Sequence, residues 1–387
     1  MEYEEHELSL REEVIRLISL QQEGGYWDFK REWHEKKDKL LLDIICMANN
    51  LHNRDAYIII GVDEENGYRI TDVKDDPNRK NTQKLVDFLK DKKFAGGIRP
   101  IAYVEQVSLF SGEIDVIVIE NSHNTPFYLT DTFGCVQANH IYTRIMDANT
   151  PCDRSADINN VEYLWRKRFH LDDSPLERFT YFLQQPQNWV NSPIEYELCK
   201  FYKYSPEFVL REERDETRTG YEFYLFGQVD NRPSWYIATL YFYQTALEQF
   251  VCASLDGGRC FVVAPSVSGV SFSAYYNWDV VYHYFEEDSL AYILLQFFQA
   301  EGTSEYKYAF MRFIRCVLIF KSKTEREHFE LYVKNCEDHY RELYSEQGDN
   351  ELPIFPDLAG YNMEVFKEKY RNALVMQKML AEFRDRE

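Results

Sequence analysis

Apolar residues first recur at a helical spacing in "LSLREEVIRLISLQQE", where Leu10, Val14, Leu17 and Ile18 fall on one face. Ser9 followed by Glu12 has the form of a capping box, and Gly24 or Gly25 is the natural stop, which places Glu23 in the last turn. The pattern then changes period. In "YWDFKREW", Tyr26, Asp28 and Lys30 share one strand face and Trp27, Phe29 and Arg31 the other. A second helical stripe runs through Leu40, Leu41, Ile44, Ile45, Ala48 and Leu51. "AYIIIGVDEENG" reads as a buried strand over Ala56 to Val62 that ends in an acidic turn.

Further along, "NTQKLVDFLKDKK" predicts a helix with Leu85, Phe88 and Leu89 on its apolar side. Pro100 to Val107 and Glu113 to Glu120 predict paired strands, "NHIYTRIMD" another strand, and "NNVEYLWRKRFHL" a helix. This order predicts an α+β domain with a mixed sheet over residues 1–172. "LDDSPLERF" marks the boundary, with Ser174, Pro175 and Glu177 opening a new helix. Residues 173–387 then predict an aromatic-rich α+β domain, with strands in "YEFYLFGQV" and "SWYIATLYFYQ" and helices near 287–300, 322–345 and 363–385. The aromatic strips suit a sheet core better than a base-stacking platform. No internal repeat is evident.

Composition sharpens this picture. Among 387 residues, 45% are hydrophobic and 16% aromatic, so long disordered spans are not expected. No run approaches a membrane span and the first residues carry acids rather than an apolar leader, which predicts a cytoplasmic protein with no membrane partner. Eight cysteines are scattered without a CxxC pair, the usage of reduced, mostly buried thiols. Cys336 and His339 lie one helical turn apart but lack a second ligand pair, so they read as structural.

The net charge of −21 excludes a protein that coats itself in nucleic acid, although a local basic site remains open. Residues 1–170 hold 22 Lys and Arg against 30 Asp and Glu, a milder balance than in the remainder. Their basic residues cluster in "KREWHEKKDK", "KDKK" and "WRKRF". No GxxxxGK[ST] loop is present, which excludes a P-loop ATPase.

On spacing alone, two readings of the acids stand. In the first, Glu23 is solvated and Asp28 pairs with Lys30 as a surface ion pair worth about 0–1 kcal/mol. In the second, Glu23, Asp28 and an acid from the end of the Ala56–Val62 strand, Asp63 or Glu64, meet beside Lys30. Hard oxygen ligands of that kind suit Mg²⁺ or Mn²⁺, and a metal with a nearby lysine suits phosphodiester hydrolysis.

Several pieces of this sequence resemble the Schlafen core, or AlbA-like, domain. They are "E-GGYW-DFK" (Glu23, Asp28, Phe29, Lys30), the helix end "MANN", the strand "IIIGVDE", and "IYTRIMDANTP" followed by "EYLWRKRF". The resemblance covers roughly residues 10–170. It implies a metal-dependent RNA endonuclease acting on tRNA-like RNA, with Glu23, Asp28 and Glu64 (or Asp63) as metal ligands and catalytic acids and Lys30 as catalytic partner. A toxic RNase of this type suits antiphage defence. Asp28 stands where the family usually has Glu, Glu64 where Asp is usual, and "NRDA" (Asn53 to Ala56) where a glycine pair commonly precedes the strand.

The alternative is a module that binds RNA or DNA without cutting it, coupled to a signalling or partner-recruiting C-terminal domain. Lys30, Arg31, Lys36, Lys37, Lys39 and Arg144 are the candidate nucleic-acid contacts. The family's nuclease core resembles a horseshoe of two similar lobes, and this chain carries one. A homodimer assisted by the aromatic-rich C-terminal half, with the acid clusters opening on a shared cleft, is therefore expected, and the C-terminal domain is also the candidate site for a protein trigger or partner.

Overall fold

In the computed structural model, the structure describes residues 10–109, 112–192, 199–273, 278–300 and 304–385. Ser9, the expected cap of the first helix, lies outside them. The chain divides into two compact units between Asp173 and Ser174.

The first unit contains α1 (Leu10–Ser19), β1 (Trp27–Lys30), α2 (Lys37–Ala48), β2 (Ala56–Ile60), β3 (Val62–Asp63), β4 (Arg69–Ile70) and α3 (Thr82–Lys90). β5 (Ala102–Leu109), β6 (Gly112–Ile119), β7 (Arg144–Ile145), β8 (Ala148–Asn149) and α4 (Ile158–Arg168) complete it. Its main sheet has the order β1-β2-β6-β5, with β1 parallel to β2 and the other pairs antiparallel. β2 is buried along its whole length because both sheet faces are covered. Ile58 and Ile60 pack with Leu41, Ile44 and Ile45 of α2, while Tyr57 and Ile59 pack with Val14 and Leu17 of α1. This two-residue alternation is what the pleat requires of a central strand.

Three features position the site. α1 stops at Ser19, and Gln21 takes a positive φ of 50°, so Glu23 lies in a turn beyond the helix rather than in its last turn. A carboxylate in the last helical turn would oppose the helix dipole, and the position of Glu23 beyond the helix avoids that. Gly61, with φ 105°, ends β2 and redirects the chain into the β3–β4 pair. A Cβ there would lie 2.8 Å from the Thr71 carbonyl oxygen, so the close approach demands glycine. The strand expected over "NHIYTRIMD" is reduced to the two residues of β7, because Met146 turns through a positive φ of 54° and sends the chain back as β8.

The second unit opens with α5 (Pro175–Leu183), which starts in the expected capping box of Ser174 and Glu177. β9 (Trp189–Asn191), β10 (Cys199–Tyr202), β11 (Ser205–Arg214), β12 (Trp235–Phe242), β13 (Thr245–Leu255) and β14 (Cys260–Val263) form an antiparallel sheet in sequential order. β15 (Ser266–Val270) and β16 (Val280–Glu286) join a second sheet. α6 (Leu290–Ala300) and α7 (Ser304–Ile314) precede its third strand, β17 (Leu318–Phe320). α8 (Lys323–Asn335), α9 (Glu337–Glu346) and α10 (Met363–Arg384) close the unit.

Here the aromatic residues are core. Phe179 and Phe182 of α5, Phe208 of β11, Trp235 of β12 and Phe297 of α6 share one cluster, and Phe182 stacks on Tyr202 at 4.0 Å between centroids. "YEFYLFGQV" is not a strand. Phe223–Gly227 form a 3₁₀ turn whose Phe223, Tyr224, Leu225 and Phe226 are all buried, which a two-faced strand pattern does not anticipate. The helical pattern of 322–345 breaks at Cys336 into α8 and α9, and α7 was not foreseen. All eight cysteines are free thiols. No helix among the described residues is long and apolar enough to cross a membrane.

Candidate functional site

The turn from Gln22 to Trp27 is held by its own side chains. The Trp27 indole donates to the Gln22 carbonyl at 2.9 Å, and its ring lies where a Cβ on Gly24 would need to be, 2.3 Å away. β1 is an edge strand, so one rail of its backbone lacks a strand partner. Glu23 Oε1 fills that role by accepting the Phe29 N–H at 3.0 Å. The glycine pair thus folds Glu23 back alongside Asp28.

Arg144 of β7 joins the two acids. Its Nη2 lies 2.6 Å from Glu23 Oε2 and 3.0 Å from Asp28 Oδ1, its Nε donates to the Gly24 carbonyl at 2.8 Å, and its Nη1 to Asn149 at 3.1 Å. Lys30 Nζ approaches the other Asp28 oxygen at 2.5 Å, as an ion-pair contact without hydrogen-bond geometry. Asn149 continues the chain of contacts by donating to Asp43 Oδ1 at 2.8 Å, and Asp43 Oδ2 meets His34 Nε2 at 2.7 Å. Asp28 is 1% exposed and Arg144 2%. This is a buried polar network, not a surface ion pair.

The electrostatics follow from this packing. Burial, and then the hydrogen bond and charge of Asp28, push the Glu23 carboxyl up to about 7. Burial opposes ionisation of Asp28 as well, but Lys30, Glu23 and Arg144 together hold it below the usual carboxylate range. Burial works against the Lys30 ammonium, and Asp28, Asp43 and Glu23 outweigh it to raise Lys30.

The expected third acid is not in this contact. Asp63 Oδ2 accepts from Asn66 at 2.8 Å and lies 3.8 Å from Arg31 Nε, and the Asn66 hydrogen bond holds its carboxyl low. Glu64 is exposed at the start of a 3₁₀ turn. Tyr68 senses both sides: after burial, the charges of Glu64 and Glu23 raise its phenol.

The donor set tests the Mg²⁺ or Mn²⁺ that the family resemblance implies. Hard carboxylate oxygens are present, yet the Arg144 guanidinium already bridges Glu23 and Asp28, the place a shared divalent ion would take. Lys30 compensates the remaining Asp28 oxygen, and neither Asp63 nor Glu64 makes a contact with the pair among the described residues. The acids as arranged are neutralised by the protein itself and do not fit the ion.

The six candidate nucleic-acid contacts divide. Arg144 is a correction: it is buried and bound to carboxylates, so no phosphate reaches it. Lys30 is turned into the same network. Arg31 is exposed, as are Lys36 and Lys37 at the start of α2 and Lys39 one turn on, whose Nζ lies 3.7 Å from Cys152 Sγ. Two lysines join them. Lys80 Nζ sits 5.2 Å from the Trp33 ring centroid, and burial, then the charges of Lys37 and Lys84, outweigh Asp76 and push its ammonium below the ordinary lysine range. Lys36, Lys37, Lys80 and Lys84 form no ion pair with an acid among the described residues, although Glu32 and Glu35 are interleaved in sequence.

Sequence reasoning missed Asp43, whose signal was a lone carboxylate inside the apolar stripe of α2, and the role of Asn149. It also missed His123, His170 and Asp173. Their ligand atoms lie within 4.8 Å of one another, and the group could hold a metal ion.

The first unit is thus an α+β domain that holds a buried acid–arginine network, with lysines outside it that form no ion pair among the described residues. Residues 23–153 match the family described as Schlafen, AlbA_2, about a third of the chain, and the N-terminal unit is a Schlafen/AlbA-like domain. No curated protein and no solved structure matches.

Proposed function

We propose that the N-terminal unit binds nucleic acid through phosphates, with structured tRNA-like RNA as the first candidate and DNA as the comparison, and that it does so without using the acid pair as a metal centre. One observation carries this reading: Lys36, Lys37, Lys80 and Lys84 form no ion pair among the described residues, although the Asp76 charge acts on Lys80, in a protein with a net charge of −21. Lysines outside any ion pair on an acidic protein give a local anion site while the remaining surface repels polyanions, which favours one docking orientation. The Schlafen/AlbA-like domain supports a nucleic-acid-related role.

A second reading, metal-dependent RNA cleavage in the manner of a toxic antiphage effector, is favoured by the convergence of Glu23, Asp28 and Lys30. It requires Arg144 to leave the acids. Labelled tRNA mixed with the full-length protein, in chelator or in Mn²⁺, separates the two. Binding in chelator that Lys36→Gln, Lys37→Gln and Lys84→Gln together abolish supports the first reading. Absence of binding at low salt refutes it. Cleavage in Mn²⁺ that Glu23→Gln and Asp28→Asn abolish places the second reading ahead.

A further inference from the structure

We infer that His123, His170 and Asp173 form a binding site for a borderline divalent cation of the Zn²⁺ class, separate from the acid–arginine network. The residues come from two segments that sequence distance does not connect. His123 lies in the loop after β6, while His170 and Asp173 lie on the chain leaving α4. Asp173 Oδ2 is the meeting point, 2.5 Å from His170 Nδ1 and 3.5 Å from His123 Nε2, and the two imidazole rings stack with centroids 4.1 Å apart.

Tetrahedral coordination at about 2.0–2.1 Å places ligand atoms roughly 3.3 Å apart. The His123–Asp173 separation already meets that spacing. Relative to Asp173, His170 needs to move less than an ångström, all three ligand atoms already lie within 4.8 Å of one another, and the closer contact is what an imidazole N–H to carboxylate hydrogen bond gives with no ion between them. An ion must also lie in the plane of each imidazole that binds it, and the two rings are inclined by only 22°. Loading therefore turns one ring out of the stack. His123, with a side chain 39% exposed, is the ring with room to turn.

The backbone at His170 supports a selected side chain. It follows the C-cap of α4 with φ 56°, a left-handed position where glycine carries the least strain. His170 N–H donates to the Lys167 carbonyl at 3.1 Å and the next N–H, of Leu171, to the Arg166 carbonyl at 2.9 Å, so the helix end is formed by the backbone alone. The imidazole is not needed to finish the helix. Two imidazoles and one carboxylate match the ligand preferences of Zn²⁺, Co²⁺ and Ni²⁺ better than those of Mg²⁺. Three protein ligands leave a fourth position for water on the solvent side of His123. The ion ties the loop after β6 to the last residues of the first unit.

The test uses the full-length chain, stripped with chelator and titrated with Co²⁺, whose visible absorption reports its ligands, and with Zn²⁺ in competition. One equivalent binds, and His123→Ala and Asp173→Asn each weaken binding by more than about tenfold, the low end of what removing even an outer partner of a ligand costs. Glu23→Gln leaves it unchanged, which separates this site from the acid pair. X-ray absorption on the Zn²⁺-loaded wild type finds two imidazole ligands, a readout that does not depend on any variant folding. Failure to bind either ion, an absorption spectrum without two imidazoles, or affinity unaltered in correctly folded His123→Ala and Asp173→Asn overturns the inference.

Discussion

Replacing Glu23 with Gln isolates the cost of ionising a carboxyl held beside Asp28. Glu23 rises from 4.5 to about 7 in the folded protein because of burial and Asp28. A folded value above the unfolded one favours the protonated state, so the associated stability is fully present below about pH 4.5 and is lost as pH rises through 7. The full shift corresponds to roughly 3 kcal/mol. Partial solvent access and the Arg144 guanidinium 2.6 Å from Glu23 Oε2, which favours the ionised form, reduce that to about 1–2 kcal/mol. Asp28 shifts the other way, and its contribution is lost only as pH falls below the ordinary range near 3.8, outside this window. Gln is uncharged at every pH, and the one acceptor it lacks toward Phe29 or Arg144 enters as a pH-independent offset. Urea unfolding of both proteins from pH 5 to 8 should therefore show Glu23→Gln gaining about 1–2 kcal/mol on the wild type as pH rises, on top of a constant offset. Parallel stability curves, or a gap that widens toward acid pH, would refute the assignment of Glu23 as the raised member of the pair.

Arg144→Met should destabilise the first unit by about 3–5 kcal/mol, since it leaves buried carboxylates and the Gly24 carbonyl without their donor, and Arg144→Lys should not restore it; thermal unfolding followed by tryptophan fluorescence reads both. Gly24→Ala should cost about 1–3 kcal/mol, because its Cβ meets the buried Trp27 ring at 2.3 Å, whereas Gly25→Ala should cost less because it meets the exposed His52 ring, which can turn away. The same unfolding assay compares them. For assembly, sedimentation should give a mass near twice 46.3 kDa if the expected homodimer forms, and a mass near that of one chain, unchanged with RNA, would reject it.

Elements with a single strong period were legible in the sequence. The stripe of α2, the apolar run of β2, the β5–β6 pair and the capping box of α5 each carry their own signal within a few residues. What escaped depended on partners far along the chain. Arg144 lies among mostly apolar neighbours in "IYTRIMD", and nothing in that stretch signals that it will cross to Glu23, more than a hundred residues earlier. The position of Glu23 turned on where α1 stops, and Gln21 rather than a glycine takes the left-handed turn. Asp63 and Glu64 were expected to continue from β2 toward the acids, but Gly61 diverts them into a separate pair of short strands. The His123, His170 and Asp173 group spans two segments, and only its His170–Asp173 half had a local spacing to notice.

The central claim is that lysines, and not the acid pair, hold the nucleic acid. The salt dependence of tRNA binding measures it most directly, because each phosphate contact contributes to the slope of affinity against ionic strength. The full-length wild type in chelator should lose affinity steeply as salt rises. Lys37→Gln and Lys84→Gln should each reduce the slope by about 1 while weakening binding to all sequences alike. Glu23→Gln should leave the slope unchanged. A slope indifferent to both lysine variants, or binding that appears only with Mn²⁺ and vanishes in Glu23→Gln, would contradict the account.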